Sequence, residues 1–175
     1  MIAGIDGEHY WFPPGKSEAY VALNKKFDTD GTTRIWPWFK LTRLTGLYSL
    51  GEPQDVRDNR VGADGEIPRL GRRRGKTVVY EGIIKARSRQ EFLWGRYLLA
   101  GALEDMASEG IMIVTWHSQN VQFGEETPRF FRARVLALEV VDEQVNRNHD
   151  RPFLLSLRMS DPHFYVAGDN ELEGP

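Results

Sequence analysis

The chain has 175 residues, a formal net charge of −2, 41% hydrophobic and 27% charged residues, and no cysteine. A chain of this size buries about 70% of its unfolded surface, enough for a core without staples, and ordinary apolar and charged content excludes a disordered chain. Without cysteine there is no disulfide framework, thiolate nucleophile or Cys-ligated zinc, and so small a net charge gives no global pull towards nucleic acid or membrane.

The N-terminus, Met1-Ile-Ala-Gly-Ile-Asp-Gly7, has no basic segment followed by an apolar run, so no signal peptide is expected. Residues 1–43 are rich in aromatics, with Tyr10-Trp-Phe12, Tyr20 and Trp36-Pro-Trp-Phe39, and read as two or three strands. Between them, Asp28-Thr-Asp-Gly31 resembles the middle of a calcium-binding EF-hand loop. With Gly31 at the sixth position, however, the first and twelfth fall on Lys26 and Pro37, where oxygen ligands are required, so the segment reads as a turn. Residues 51–76 then carry few apolar side chains and read as a long polar loop. From Arg57 to Lys76 this loop holds seven basic residues, Arg72, Arg73 and Arg74 among them, and three acidic ones. That charge is suited to tracking phosphates, although stacking aromatics are absent from the loop.

Thr77–Arg87 is β-branched and partly alternating, a strand. Ser88-Arg-Gln-Glu91 is a capping box opening a helix over about 89–108, with Phe92, Leu99, Leu103 and Met106 on one face, widened by Leu93, Trp94, Tyr97 and Leu98. Glu109-Gly110 stops it. Three further strands follow at Ile111–His117, Phe130–Val141 and Pro152–Met159, with Arg132 and Arg134 alternating against small or apolar neighbours. The expected architecture is an α+β domain over 1–165, mainly antiparallel, with one helix covering a sheet or sandwich, and a polar, acidic tail at 166–175.

Motifs for chemistry do not accumulate. The four histidines, His9, His117, His149 and His163, lack metal-ligand spacing, and no serine has a nucleophile-elbow setting. There is no Walker or dinucleotide-binding glycine pattern, and Glu125-Glu126 and Asp142-Glu143 are adjacent turn carboxylates that would point apart. No catalytic, cofactor or metal residue is therefore assigned.

Two stretches carry a resemblance. One is Gly65-Glu-Ile-Pro-Arg-Leu-Gly-Arg-Arg-Arg-Gly-Lys-Thr-Val-Val-Tyr-Glu-Gly-Ile-Ile-Lys-Ala-Arg-Ser88 with the helix after it, and the other is Phe153-Leu-Leu-Ser-Leu-Arg-Met-Ser-Asp-Pro-His-Phe-Tyr165. Upstream, Leu44-Thr-Gly-Leu-Tyr-Ser-Leu-Gly51 and Asp55-Val-Arg-Asp58 fit the same order. Together they resemble the distal tail proteins among the minor tail proteins of long-tailed bacteriophages. The resemblance implies a tail-tube-like β-sandwich with one helix and a hexameric ring of identical chains at the tail tip. It implies a virion protein made in the host cytoplasm that joins the tail tube to the hub and host-recognition apparatus. DNA would only pass through in transit, and no enzymatic activity, cofactor or membrane is implied. A second, carbohydrate-binding-like domain of many family members has no counterpart after Tyr165, and the aromatic first 43 residues exceed a minimal member, which keeps a tail tube or other tail-tip component open as an alternative. A ring needs head-to-tail contacts, for which Trp11, Phe12, Trp36, Trp38 and Phe39 are candidate anchors, with plain core packing as the competing reading. Arg72, Arg73 and Arg74 are expected to face a neighbouring chain or the next ring, because lining the lumen they would hold passing DNA. The alternative of a different class is a small nucleic-acid-binding module using loop 57–76.

Overall fold

The computed structural model describes residues 7–16, 20–47, 49, 57–58, 67–68, 75–115, 128–141 and 149–166. Among these residues, ten strands and one helix run in the order β1 (Glu8–Phe12), β2 (Val21–Leu23), β3 (Trp38–Thr45), β4 (Arg57–Asp58), β5 (Ile67–Pro68), β6 (Lys76–Lys85), α1 (Arg89–Ala102), β7 (Gly110–Thr115), β8 (Arg129–Val140), β9 (Arg151–Met159) and β10 (Tyr165–Val166). The alternation that identifies strands also divides their faces. On β6, Lys76, Val78, Tyr80, Gly82 and Ile84 are buried and the intervening residues are not; on β9 the buried set is Phe153, Leu155, Leu157 and Met159.

The expected sandwich does not form. Strands β8, β7, β1, β2, β3, β6 and β9 are hydrogen-bonded in that order, and a further β8–β9 pairing closes the ring into a seven-stranded barrel, with β10 attached to β8. The mainly β content and single helix agree with expectation; the closure corrects it. Its cause lies in β8, whose twelve residues serve two neighbours. Gly110–Val114 of β7 pair with the first part of β8, from Ala133 back to Arg129, while Arg134–Val140 pair with β9 across a register shift between Val135 and Ala137. Such an irregularity bends a strand and increases its twist, which lets one strand turn from one neighbour to the next. The pairings are antiparallel except at one seam, where β2 and β3 run parallel through the single pair Leu23↔Phe39. In the expected 51–76 loop, β4 and β5 pair with each other and β6 begins at Lys76. The expected tail lies outside the described residues beyond Val166.

The barrel interior and the inner face of α1 form one hydrophobic cluster, running from Trp11 and Leu23 through Tyr80 and Leu157 to Phe92, Leu99 and Leu103. Gly82 is needed inside. A Cβ there would lie 2.5 Å from the Phe153 ring and 2.6 Å from the Lys40 carbonyl oxygen, and that ring stands edge-on to Phe39. Helix α1 lies against the barrel where β3 begins and β6 ends. Gly95 permits the approach, since a Cβ on it would meet Pro37 at 2.9 Å and Ile84 at 3.1 Å. At the helix's other end, Trp11 Nε1 donates to the carbonyl of Ala102 at 2.9 Å.

The helix starts as expected: Ser88 Oγ accepts from the Glu91 amide at 3.2 Å, while Glu91 reaches back to accept from the Arg87 amide at 2.7 Å. It ends at Ala102 rather than near 108. Leu103 turns into the core, and Asp105 Oδ1 then accepts from the amides of Ala107 and Ser108, organising a turn that leaves Met106 exposed.

Candidate interaction surface

The barrel interior holds little chemistry. His9 is 1% exposed, with Nδ1 3.2 Å from the Tyr80 hydroxyl, and its Nε2 has no hydrogen-bond partner among the described residues. Burial pushes its pKa down to about 4, so the imidazole is neutral near pH 7. At another end of β6, Lys76 Nζ donates to the carbonyls of Leu47 and Ser49 and sits over the Phe164 ring, and burial lowers its pKa. Asp150, 3% exposed, accepts from Lys85 Nζ at 2.9 Å and from the Ala86 amide at 3.3 Å. Among the described residues no three His, Asp or Glu side chains converge on a metal position, and no helix is long and apolar enough to cross a membrane.

The surface is more informative. Helix α1 carries more apolar side chains than its inner face can bury. Phe92, Gly95 and Leu99 face inwards, whereas Leu93, Trp94 and Tyr97 are 49%, 53% and 68% exposed. Trp94 and Tyr97, one turn apart, stack with centroids 5.6 Å apart and planes 21° from parallel. Arg89 and Arg96 are exposed on the same helix, whose acidic residue Glu91 is engaged with Arg87. Contiguous exposed aromatics of this kind mark interaction surfaces, unlike the scattered single apolar residues of ordinary surfaces.

Beside the start of α1, the segment between β2 and β3 folds back as a hairpin. Phe27 bridges Arg34, the Ile35 amide donates to the Lys26 carbonyl at 3.1 Å, and the Asp28 amide donates to the Thr33 carbonyl at 2.8 Å. Asp30 organises the tip: its Oδ1 accepts from the amides of Thr32 and Thr33, each at 2.8 Å, and its Oδ2 from the Thr33 hydroxyl. These bonds hold its carboxyl well below the usual carboxylate range. Residues 27–34 are all exposed. The base of the hairpin is fastened by Trp36, whose ring lies 5.6 Å from the Arg34 guanidinium carbon and 5.2 Å from that of Arg87.

The residues chosen from the sequence as contact anchors are distributed differently. Trp11 and Phe39 are core residues at 1% and 6% exposure and offer a partner no surface in the folded chain. Phe12, Trp36 and Trp38 are half-buried, and Trp38 Nε1 is buried without a partner among the described residues. Arg72, Arg73 and Arg74 lie outside the described residues, as does His117. The sequence reading missed the outward face of Leu93, Trp94 and Tyr97. The signal was their spread around the helix, wider than a helix lying on one surface can cover.

No protein-family model and no curated protein matches the chain. Among solved structures, similar folds include SPP1 Dit (gp 19.1), described as a paradigm of the hub adsorption apparatus in phages infecting Gram-positive hosts, and the SPP1 tail tube. The first is 13% identical with a TM-score of 0.48, the alignment covering 74% of this chain and 47% of that one. The second is 13% identical with a TM-score of 0.41, covering 99% of this chain and 84% of that one. The chain thus spans about half the length of the Dit protein it matches.

Proposed function

We propose that this chain is a structural protein of a bacteriophage tail, of the distal tail type, which assembles into a ring, joins tail tube to hub, and lets DNA pass without acting on it. What supports the reading is the placement of the two stretches that resemble distal tail proteins. They are separated by more than sixty residues in the sequence, yet β6 and β9 pair in register from Lys76↔Met159 to Ile84↔Arg151. The helix that follows the first stretch packs on the end of the same strand, through Gly95 and Ile84. The motifs therefore form one structural unit with a common reason to occur together. An aromatic helix face turned outwards fits a protein that works by contact.

The test is the mass of the purified full chain by light scattering across a concentration series, with negative-stain images of any large species. Closed rings are the expected outcome, and stacked open tubes would move the assignment to a tail tube protein. A monomer at every concentration, with DNA binding that falls steeply as salt rises, would overturn the reading in favour of a nucleic-acid-binding module.

A further inference from the structure

We propose that the β2–β3 seam is an acid-sensitive opening in the barrel wall, worked by the uptake of a proton on His9. The inference does not depend on the ring assignment above. Its first support is position. One interior level of the barrel runs from Val114 to His9, Leu23, Phe39 and Ile84 through successive strand pairings. The Leu23↔Phe39 step in that level is the single pair that joins β2 to β3. His9 thus lies beside the residue on which the seam depends. The hydrogen-bond partner of its Nδ1, the Tyr80 hydroxyl, stands on β6, beyond β3 and across the same seam.

The second support is what a proton would meet in the closed barrel. A protonated imidazole donates from both nitrogens. Tyr80 can accept from Nδ1, but Nε2 has no acceptor among the described residues. No carboxylate faces the ring to balance its charge. From β2, β3, β7, β8 and α1 the buried residues are apolar or glycine. Strand β6 brings Tyr80 and Lys76, and β9 brings Arg151 over the Phe92 ring, so the charged groups on these two strands are positive. Asp150, just ahead of β9, is bonded to Lys85 and to the Ala86 amide. On β1 itself, Glu8 and Tyr10 are bonded to each other on the opposite face of the strand. A charge buried without water or a counter-charge is costly, and burial is accordingly what lowers the His9 pKa.

The third support is the route by which water can reach the ring. Separating β2 from β3 breaks one residue pair and the bond from the Asn24 amide to the Phe39 carbonyl. On its other side β1 is held to β7 through five pairs, Glu8↔Thr115 to Phe12↔Ile111. The seam is therefore the opening of lower free energy, and it uncovers Leu23 and the imidazole beside it. In the open state the imidazole is hydrated and takes the proton at its ordinary pKa, which holds the seam open until the proton leaves.

The test is native-state hydrogen exchange of the Asn24 amide in the full chain at pH 7.5 and 5.5, corrected for the intrinsic exchange rate, with amides of β6 and β9 recorded alongside. Asn24 reports the seam because its amide donates across it. With an imidazole pKa of about 4 when closed and 6.5 when open, the opening constant is expected to rise about tenfold over this range in the wild type. It should stay level in His9→Gln, and in His9→Phe, which serves as the control if the first variant does not fold. An opening constant that stays level in the wild type overturns the proposal, because His9 then meets water only when the whole barrel unfolds. A rise as large in the variants also overturns it, since another group then drives the opening. Asn24 protection equal to that of β6 and β9 at both pH values overturns it too, because the seam then does not open separately.

Discussion

His9 shows how a single buried side chain couples the barrel to pH. Its imidazole sits in the wall of the barrel against Tyr80, ring edge to ring face at 81°, with burial as the cause of its low pKa. The folded form titrates near 4 and the unfolded form near the ordinary 6.5, so the unfolded chain binds the proton more tightly. Stability is therefore complete above pH 6.5, falls as pH drops from 6.5 towards 4, and levels off below. Between pH 7.5 and 5.5 the loss is about 1–2 kcal/mol. Urea unfolding at these two pH values is expected to show that loss in the wild type and not in His9→Phe; equal slopes would refute it. The window lies above the range in which Glu91, Asp105 and Asp161 change charge, because their pKa values are lowered from ordinary carboxylate values. Gly82 makes the complementary point about volume. Gly82→Ala places a methyl within the Phe153 ring's space, and the Lys40 carbonyl blocks retreat, so a loss of about 1–3 kcal/mol is expected in the same measurement.

At the scale of the element, α1 separates what its sequence reveals from what it hides. The start was legible because the cap is local: Ser88 accepts from the Glu91 amide and Glu91 from the Arg87 amide, all within five residues. Ser88→Ala is expected to lower stability by about 1 kcal/mol, read as a shift in the urea midpoint at constant slope. The outward turn of Leu93, Trp94 and Tyr97 was legible only as an excess: the spacing puts Phe92, Leu99 and Leu103 on one face, which is the one the barrel covers together with Gly95, and the other apolar residues spread further round the helix than that cover reaches. Gly95→Leu is accordingly expected to be more damaging than Ser88→Ala, because its side chain meets Pro37 and Ile84 directly. The four strands from β6 to β9 were legible from their alternation, but their closure into a barrel depends on a bend at Val135–Ala137 that no local pattern announces.

For the whole molecule, closure leaves the wall unequal around its circumference. The β6–β9 ladder runs through nine residue pairs, and β8 is paired from end to end, first with β7 and then with β9. The β2–β3 seam has one pair, Leu23↔Phe39, supplemented by the Asn24 amide donating to the Phe39 carbonyl at 2.6 Å. Opening the seam breaks few backbone hydrogen bonds and exposes mainly Leu23, Phe39 and Leu41, whereas separating β6 from β9 exposes both of their interior rows. Local opening free energies follow such differences. Native-state hydrogen exchange should therefore rank the amides of β6 and β9 near the global unfolding free energy, with those of Val21–Asn24 exchanging through a smaller opening. Equal protection around the barrel in the unassembled chain would mean that the seam is reinforced beyond its single pair, and that the wall opens only as a unit.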